Sequence, residues 1–190
     1  MKSIKEIYKV GPGPSSSHTL AVQRACLLYL EHYPQARSFK VDLFDSLALT
    51  AEGHHTMDII KKCYPDMDVE ISKNGKWRHP YATALDIQGF DEQNNPFEKW
   101  EVASIGGGSI RIIGNDFGFE DDLYPHTTFD EVKAYVEEKQ ITLYEYVLHH
   151  EDNIIPYMSD IIDQMLDTVK TGLDRDGLLP GRLKVKRVAK

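Results

Sequence analysis

Apolar positions recur along this chain with two different periods, and the switches between them mark its elements. Ile4, Ile7 and Tyr8 suggest a short opening helix, which Gly11-Pro12-Gly13-Pro14 stops. From Ser17 onward Val22, Ala25, Cys26, Tyr29 and Leu30 fall at helical spacing, predicting a helix to about Glu31. Cys26 lies on that stripe and reads as a core residue rather than a reactive thiol. Phe39, Val41 and Leu43 alternate with polar neighbours and predict a strand. A second helix is expected from Thr56 to Lys62, ended near Pro65, followed by a short strand at Val69 and Ile71.

Two β-rich runs follow, Tyr81 to Phe90 and Phe97 to Ile105, joined by a polar, proline-containing hairpin connection from Asp91 to Pro96. After Gly106-Gly107-Gly108 comes a short strand at Ile110 to Ile113. The last third turns helical. Thr128 with Glu131, and Thr142 with Glu145, fit capping boxes, in which hydroxyl and carboxylate satisfy orphan amides at a helix start. Met158, Ile161, Ile162, Met165, Leu166, Val169 and Leu173 form a long amphipathic stripe ending before Gly177. Strands first and helices later predict an α+β fold with a mixed or antiparallel sheet.

The chain has 190 residues, which fits one domain. Its 22 basic and 30 acidic side chains give a net charge of −8. The basic residues concentrate after Gly181, at Arg182, Lys184, Lys186, Arg187 and Lys190, leaving a more acidic body that phosphate backbones and anionic lipid would repel. The tail reads as a linker or an edge strand, with a nucleic-acid patch as the alternative. No apolar run is long enough for a transmembrane helix, and Met1 to Glu6 places charges where a signal peptide needs an apolar stretch. Two cysteines, Cys26 and Cys63, cannot build a disulfide framework. A soluble, cytoplasmic protein is the expectation.

The most unusual segment is Gly11 to Thr19, where Ser15, Ser16, Ser17, His18 and Thr19 sit between a rigid turn and a helix start. Amides, the helix dipole and hydroxyls there would attract a carboxylate or phosphate; a serine-rich cap without a ligand is the simpler physical reading. No phosphate-loop lysine is present, which disfavours a nucleotide. Ser46 to Thr56 forms a second cluster, with Gly53-His54-His55 expected on a strand-to-helix loop; the plainer reading is a helix start capped by Thr56. His79 is a third candidate, ahead of Pro80. The histidines lack zinc spacing. Asn115-Asp116 and Glu120-Asp121-Asp122 miss calcium-loop spacing and read as a solvated loop. His149-His150 read as favourable charges at a helix C-terminus.

Pro14-Ser15-Ser16-Ser17-His18-Thr19 resembles the signature of the iron–sulfur-dependent L-serine dehydratases (L-serine ammonia-lyases). In the same order, Val41 to His54 resembles that family's strand and Gly-His loop, Arg78-His79-Pro80 its His-Pro element, and Ser104 to Gly108 its Ser-Ile-Gly-Gly-Gly turn. Gly177 to Arg187 resembles the bridge to a second domain. Asp45 stands where relatives usually have glycine and Glu52 where lysine is common, and Tyr81-Ala82 departs from the usual pair after His79.

The resemblance implies a β domain over residues 1–176 and a linker over 177–190, with a fold similar to the allosteric substrate-binding domain of some phosphoglycerate dehydrogenases. It implies conversion of L-serine to pyruvate and ammonia by a [4Fe-4S] cluster whose ligands lie in an α domain or subunit, so that this chain alone would be inactive and would read as a subunit or a piece of a longer enzyme. It implies that His54, His79 and His18 serve catalysis, that Ser15, Ser16, Ser17, Thr19 and Gly106, Gly107 and Gly108 bind substrate, and that no residue here binds metal. A homodimer is the expected assembly. The alternative is a non-catalytic regulatory domain that binds serine or another small anion.

Overall fold

Alternation along the strands is what the fold is built on. The computed structural model describes residues 1–115, 122–179 and 183–188. Their described parts fall into two compact units: Met1–Val10 with Phe119–Gly177 and Arg187–Lys190, and Gly11–Gly118 with Leu178–Lys186. In the second unit α1 (Leu20–His32) is followed by β1 (Ser38–Phe44), α2 (Asp45–Thr50), α3 (Thr56–Cys63), β2 (Asp68–Lys73), β3 (Thr83–Phe90), β4 (Trp100–Gly106) and β5 (Ser109–Ile112). The five strands form one sheet in the order β2-β1-β3-β4-β5. β1 and β2 run parallel and the remaining pairs antiparallel, so the sheet is mixed, as the α+β reading expected.

One face of this sheet carries the main apolar cluster, and the other mixes charged residues with a small cluster of Trp77, Ala84 and Ala103. Phe39, Val41 and Leu43 of β1, Leu85 and Ile87 of β3, Trp100 and Val102 of β4, and Ile110 and Ile112 of β5 are buried in one cluster. The same cluster holds Val22, Ala25, Cys26 and Tyr29 of α1 and Ile59, Ile60 and Cys63 of α3. Cys26 is therefore a core residue, as its place on the stripe predicted. Tyr29 ties the layers together: its hydroxyl donates to Glu98 O at 2.7 Å and accepts from Gly89 N at 2.8 Å. Losing such a hydroxyl would leave the buried Gly89 amide unmatched, at about 1–3 kcal/mol. The residues between these, Asp42, Asp86 and Glu101, occupy the opposite face; Asp86 and Glu101 are paired in register.

Three local differences from the sequence reading have physical causes. The first long helix begins at Leu20 rather than near Ser17, because the hydroxyl-rich residues are consumed in a turn that precedes it. His18 N and Thr19 N both donate to Ser15 O, and Thr19 Oγ1 donates to Ser15 O at 2.7 Å and also to Pro12 O. Next, α2 stands where a loop was expected; its six residues are too few to show a helical period. Finally, Leu178 and Lys186 form an antiparallel bridge, so part of the tail pairs with itself rather than with the main sheet. The acidic residues Asp116, Glu120 and Asp121, and Gly181, Arg182 and Lys190 of the tail, lie outside the described residues.

The other unit contains a 3₁₀ turn (Ile4–Glu6), α4 (Phe129–Lys139), α5 (Leu143–His150) and α6 (Ile154–Asp174). Both expected capping boxes are present: Thr128 and Thr142 accept from the amides of Glu131 and Glu145, whose carboxylates return to the cap amides. Buried Glu151 accepts from Ser3 Oγ at 2.7 Å, Ile4 N at 2.8 Å and Tyr124 Oη at 2.8 Å, fastening the N-terminal arm. Beside it lies an apolar cavity of about 610 Å³ lined by Ile4, Ile7, Tyr124, Phe129, Val132 and Leu143 among others. His150 ends α5 as expected, with Nδ1 2.9 Å from Tyr146 O. Among the described residues no helix is long and apolar enough to cross a membrane.

These carboxylates make this unit acid-sensitive. The amides of Thr127 and Thr128 hold Glu131 down at about 2, and Thr142 lowers Glu145. Burial pushes Glu151 up, but Ser3, Tyr124 and Ile4 outweigh it and leave it below its ordinary value. A carboxylate depressed by folding stabilises the native state above its unfolded value, about 4.3 for glutamate, and that stability is lost as pH falls through the folded value. Thermal melts should thus hold steady from pH 7 to 5 and fall between about 4.3 and 2. Glu131→Gln should flatten the lower part of that fall, and a flat profile from pH 5 to 3 would refute the assignment.

Candidate functional site

The C-terminal end of β1, the N-terminal end of β3 and the β4–β5 turn all lie at one end of the sheet, and three of the segments singled out in the sequence meet there. β1 runs directly into α2, and Asp45 begins that helix with a positive φ of 45°, a backbone region that glycine adopts most readily. Asp45 accepts the strain and its carboxylate receives Trp77 N at 2.9 Å.

Ser46, next along, presents Oγ 2.9 Å from His18 Nε2, while Ser15 Oγ lies 3.1 Å from His18 Nδ1. The His18 carbonyl accepts from Thr56 Oγ1 at 3.0 Å, at the start of α3. Thr56, read from the sequence as a helix cap, is fully buried and serves this bond instead. His54, in the turn between α2 and α3, sets its ring against His18, with centroids 4.4 Å apart and a tilt of 38°. Burial, then the neighbouring His54, hold His18 below the usual histidine value. His54 Nδ1 is buried with no protein partner. His55 instead points outward, 2.9 Å from Asp58.

The glycine turn joins this group through α1. Gly106, Gly107 and Gly108 all have positive φ, at 107°, 58° and 80°. A Cβ on Gly108 would lie 2.5 Å from Leu20 Cδ2, and one on Gly11 2.7 Å from Leu20 Cδ1. Thus Leu20, the first residue of α1, is packed between the Gly/Pro turn and the glycine turn. Ser104, on the α1 side of β4, has a buried Oγ without a protein partner. Of the expected carboxylate ligands, Ser15 and Thr19 are engaged with the turn, Thr19 is fully buried, and Ser16 is exposed.

The structure gives His79 a different setting. Its Nε2 lies 2.6 Å from Glu101 Oε2 and its ring packs on Trp77. Arg78 bridges Asp86 and Glu101, and Lys99 approaches Asp86 at 3.4 Å. Arg78, with His79 contributing less, holds the Glu101 carboxyl below its ordinary value against the upward push of burial. Glu101 alternates with Trp100 and Val102, which face α1, so this ionic cluster lies on the sheet face away from His18 and His54. Ser46, Thr56, Ser104 and Glu101 were not singled out as site residues in the sequence. A hydroxyl at a strand-to-helix junction was the one available signal, for Ser46.

Nothing in this arrangement would hold an iron–sulfur cluster. Cys26 and Cys63 are both buried in the core, and burial raises the Cys26 thiol well above its ordinary value. Among the described residues no group of three or more histidine, cysteine, aspartate or glutamate side chains is placed to bind a metal ion.

What the fold and site define is an α+β domain that displays a tilted histidine pair, with Ser15, Ser46 and Thr56 bonded to His18, at one end of its sheet. Residues 3–62, which span the turn, α1, β1, α2 and most of α3, match the family model for the serine dehydratase beta chain. Over its whole length the chain is distant kin of the L-serine dehydratases. It is 24% identical over 241 residues to L-serine dehydratase 2 of Escherichia coli (strain K12) and 26% to L-serine dehydratase 1 of the same organism, covering 100% of this chain and 53% of each relative. L-serine dehydratase of Streptomyces coelicolor is 26% identical over 98% of the chain and 53% of its own length. The chain thus spans about half the length of the curated relatives it matches.

Proposed function

We propose that this chain is the substrate-gripping part of an L-serine ammonia-lyase, which removes water from L-serine and yields pyruvate and ammonia. The observation that carries this reading is the meeting of the Ser15–Thr19 turn, Ser46, His54 and Gly108 around the start of α1, the first three within the residues 3–62 that match the family model. The kinship with L-serine dehydratases supports it. The [4Fe-4S] cluster is assigned to a second domain or subunit, because no residues here fit it. Cytoplasmic location, and a likeness of the sheet to the allosteric domain of phosphoglycerate dehydrogenases, belong to the same proposal. So does a homodimer, for which α6 offers exposed Ile162, Met165, Leu166 and Val169. Residues 1–176 serve as the β domain and 177–190 as the linker.

In this reading Ser15, Ser16 and Ser17 receive the substrate carboxylate at the N-terminus of α1, whose dipole favours a negative charge, while Thr19, buried and bonded to Ser15 O and Pro12 O, holds the turn in shape. Gly106, Gly107 and Gly108 let backbone approach the substrate closely. His54 takes the α-proton, and its partnerless Nδ1 is the nitrogen a ligand would satisfy. His18 organises the turn, and His79 orients the neighbouring loop through Glu101. Loss of the hydroxyl as water leaves aminoacrylate, and water then releases ammonia and pyruvate.

The test is anaerobic reconstitution with the cluster-bearing half, measuring pyruvate from L-serine. Replacing Ser15, Ser16 and Ser17 together by alanine should lower kcat/KM at least about tenfold, some 1.4 kcal/mol. Undiminished deamination would refute the proposal. Calorimetry separates the regulatory alternative, since micromolar serine binding to the chain alone would favour a sensor.

A further inference from the structure

Two imidazole rings tilted by 38° with centroids 4.4 Å apart cannot both carry a proton without strong like-charge repulsion, so their geometry divides labour between them. His18 is held at three points by three segments. Ser15 on its own turn and Ser46 at the start of α2 meet its two nitrogens, and Thr56 at the start of α3 meets its carbonyl. A neutral imidazole has one donor and one acceptor, and a hydroxyl on each side satisfies both in either tautomer. His54 has no such fastening: its Nδ1 is free of protein partners. Among the described residues His54 is the titratable group that acts on His18, while Ser15, Ser46 and Thr56 offer hydroxyls only. Asp45 beside Ser46 is turned to Trp77 N, and His55 beside His54 is turned to Asp58.

We propose that Ser46 is a positioning residue: with Ser15 it pins the His18 ring against His54, so that His18 is fixed as the neutral partner that backs His54. This rests on the reading of the site given above and adds to it, because it names what holds His18 against His54. The lowered proton affinity of His18 agrees with the same arrangement. Ser46 touches no reacting atom; it acts through His18.

The experiment is side-chain nitrogen NMR of the full chain across pH, which needs neither cluster nor turnover. In the wild type, His18 should keep the shifts of a neutral ring to a pH below the ordinary histidine midpoint of about 6.5. In Ser46→Ala the ring is released, and its proton affinity should rise about threefold or more, half a pH unit. Ser46→Thr, which keeps the hydroxyl, should restore the wild-type titration. His54→Gln gives a second route should Ser46→Ala fail to fold: removing the partner charge must also raise the proton affinity of His18. An unchanged His18 titration in Ser46→Ala or in His54→Gln overturns the proposal. A coupled pair in a chain whose reconstituted enzyme makes no pyruvate would instead overturn the assigned reaction and leave this inference standing.

Discussion

Replacing His54 by alanine in the complete enzyme should lower kcat by about 10²- to 10⁴-fold, the usual worth of a positioned acid–base group. The substrate would still be gripped by the Ser15–Thr19 turn, so KM should change far less than kcat. Folding should survive, because His54 lies in a turn at the edge of the core and its described contact is the ring of His18. A parallel His55→Ala variant makes the comparison sharp. That side chain is exposed and paired with Asp58, a contact worth little in solvent, and its loss should leave turnover near normal. Steady-state rates for the two variants, with circular dichroism to show that both fold, decide the matter. Near-normal turnover in His54→Ala would remove it from the chemistry, and a large loss in His55→Ala would exchange the two roles.

Gly108→Ala should be the most damaging single methyl addition at this end of the sheet. Its φ of 80° is a conformation that side-chain-bearing residues hold at a cost of about 1–3 kcal/mol. The new Cβ would in addition fall 2.5 Å from Leu20 Cδ2 and 2.8 Å from Leu20 Cγ. Since Leu20 follows Thr19 directly, any relief of that clash moves the start of α1 and with it the hydroxyl turn. Gly107→Ala is the control: its φ of 58° carries strain, yet its Cβ would meet nothing within 4 Å. Denaturant unfolding should show the larger loss for Gly108→Ala, and KM for serine in the reconstituted enzyme should rise for it more than for Gly107→Ala. Equal effects of the two substitutions would show that contact with Leu20 does not set the turn.

Much of this molecule was legible before its fold was known. The strands and helices announced themselves because Phe39, Val41 and Leu43 alternate while Val22, Ala25, Cys26 and Tyr29 recur at helical spacing. Both capping boxes were readable because they are local: a hydroxyl and a carboxylate three residues apart satisfy each other whatever surrounds them. Such signals fail where an element is too short to repeat its period, as in the six-residue α2. They also fail for Thr19, whose hydroxyl could cap a helix but here bonds to Ser15 O and Pro12 O because the preceding turn folds back on itself.

For the site, the sequence by itself determined which residue types are available and in what order: a hydroxyl-rich turn, a Gly-His loop, a glycine triplet, and no ligand set for a cluster. Only the tertiary structure decided which of them meet. His18 lies 28 residues before Ser46, with His54 a little further on, and their approach depends on α1 and α3 packing on the same face of one sheet. His79 went to the other face for an equally plain reason. Side chains alternate along β4, so Glu101 points away from the α1 layer and draws the imidazole with it. Periodicity is a property of neighbours in the chain, whereas a paired histidine site depends on neighbours in space.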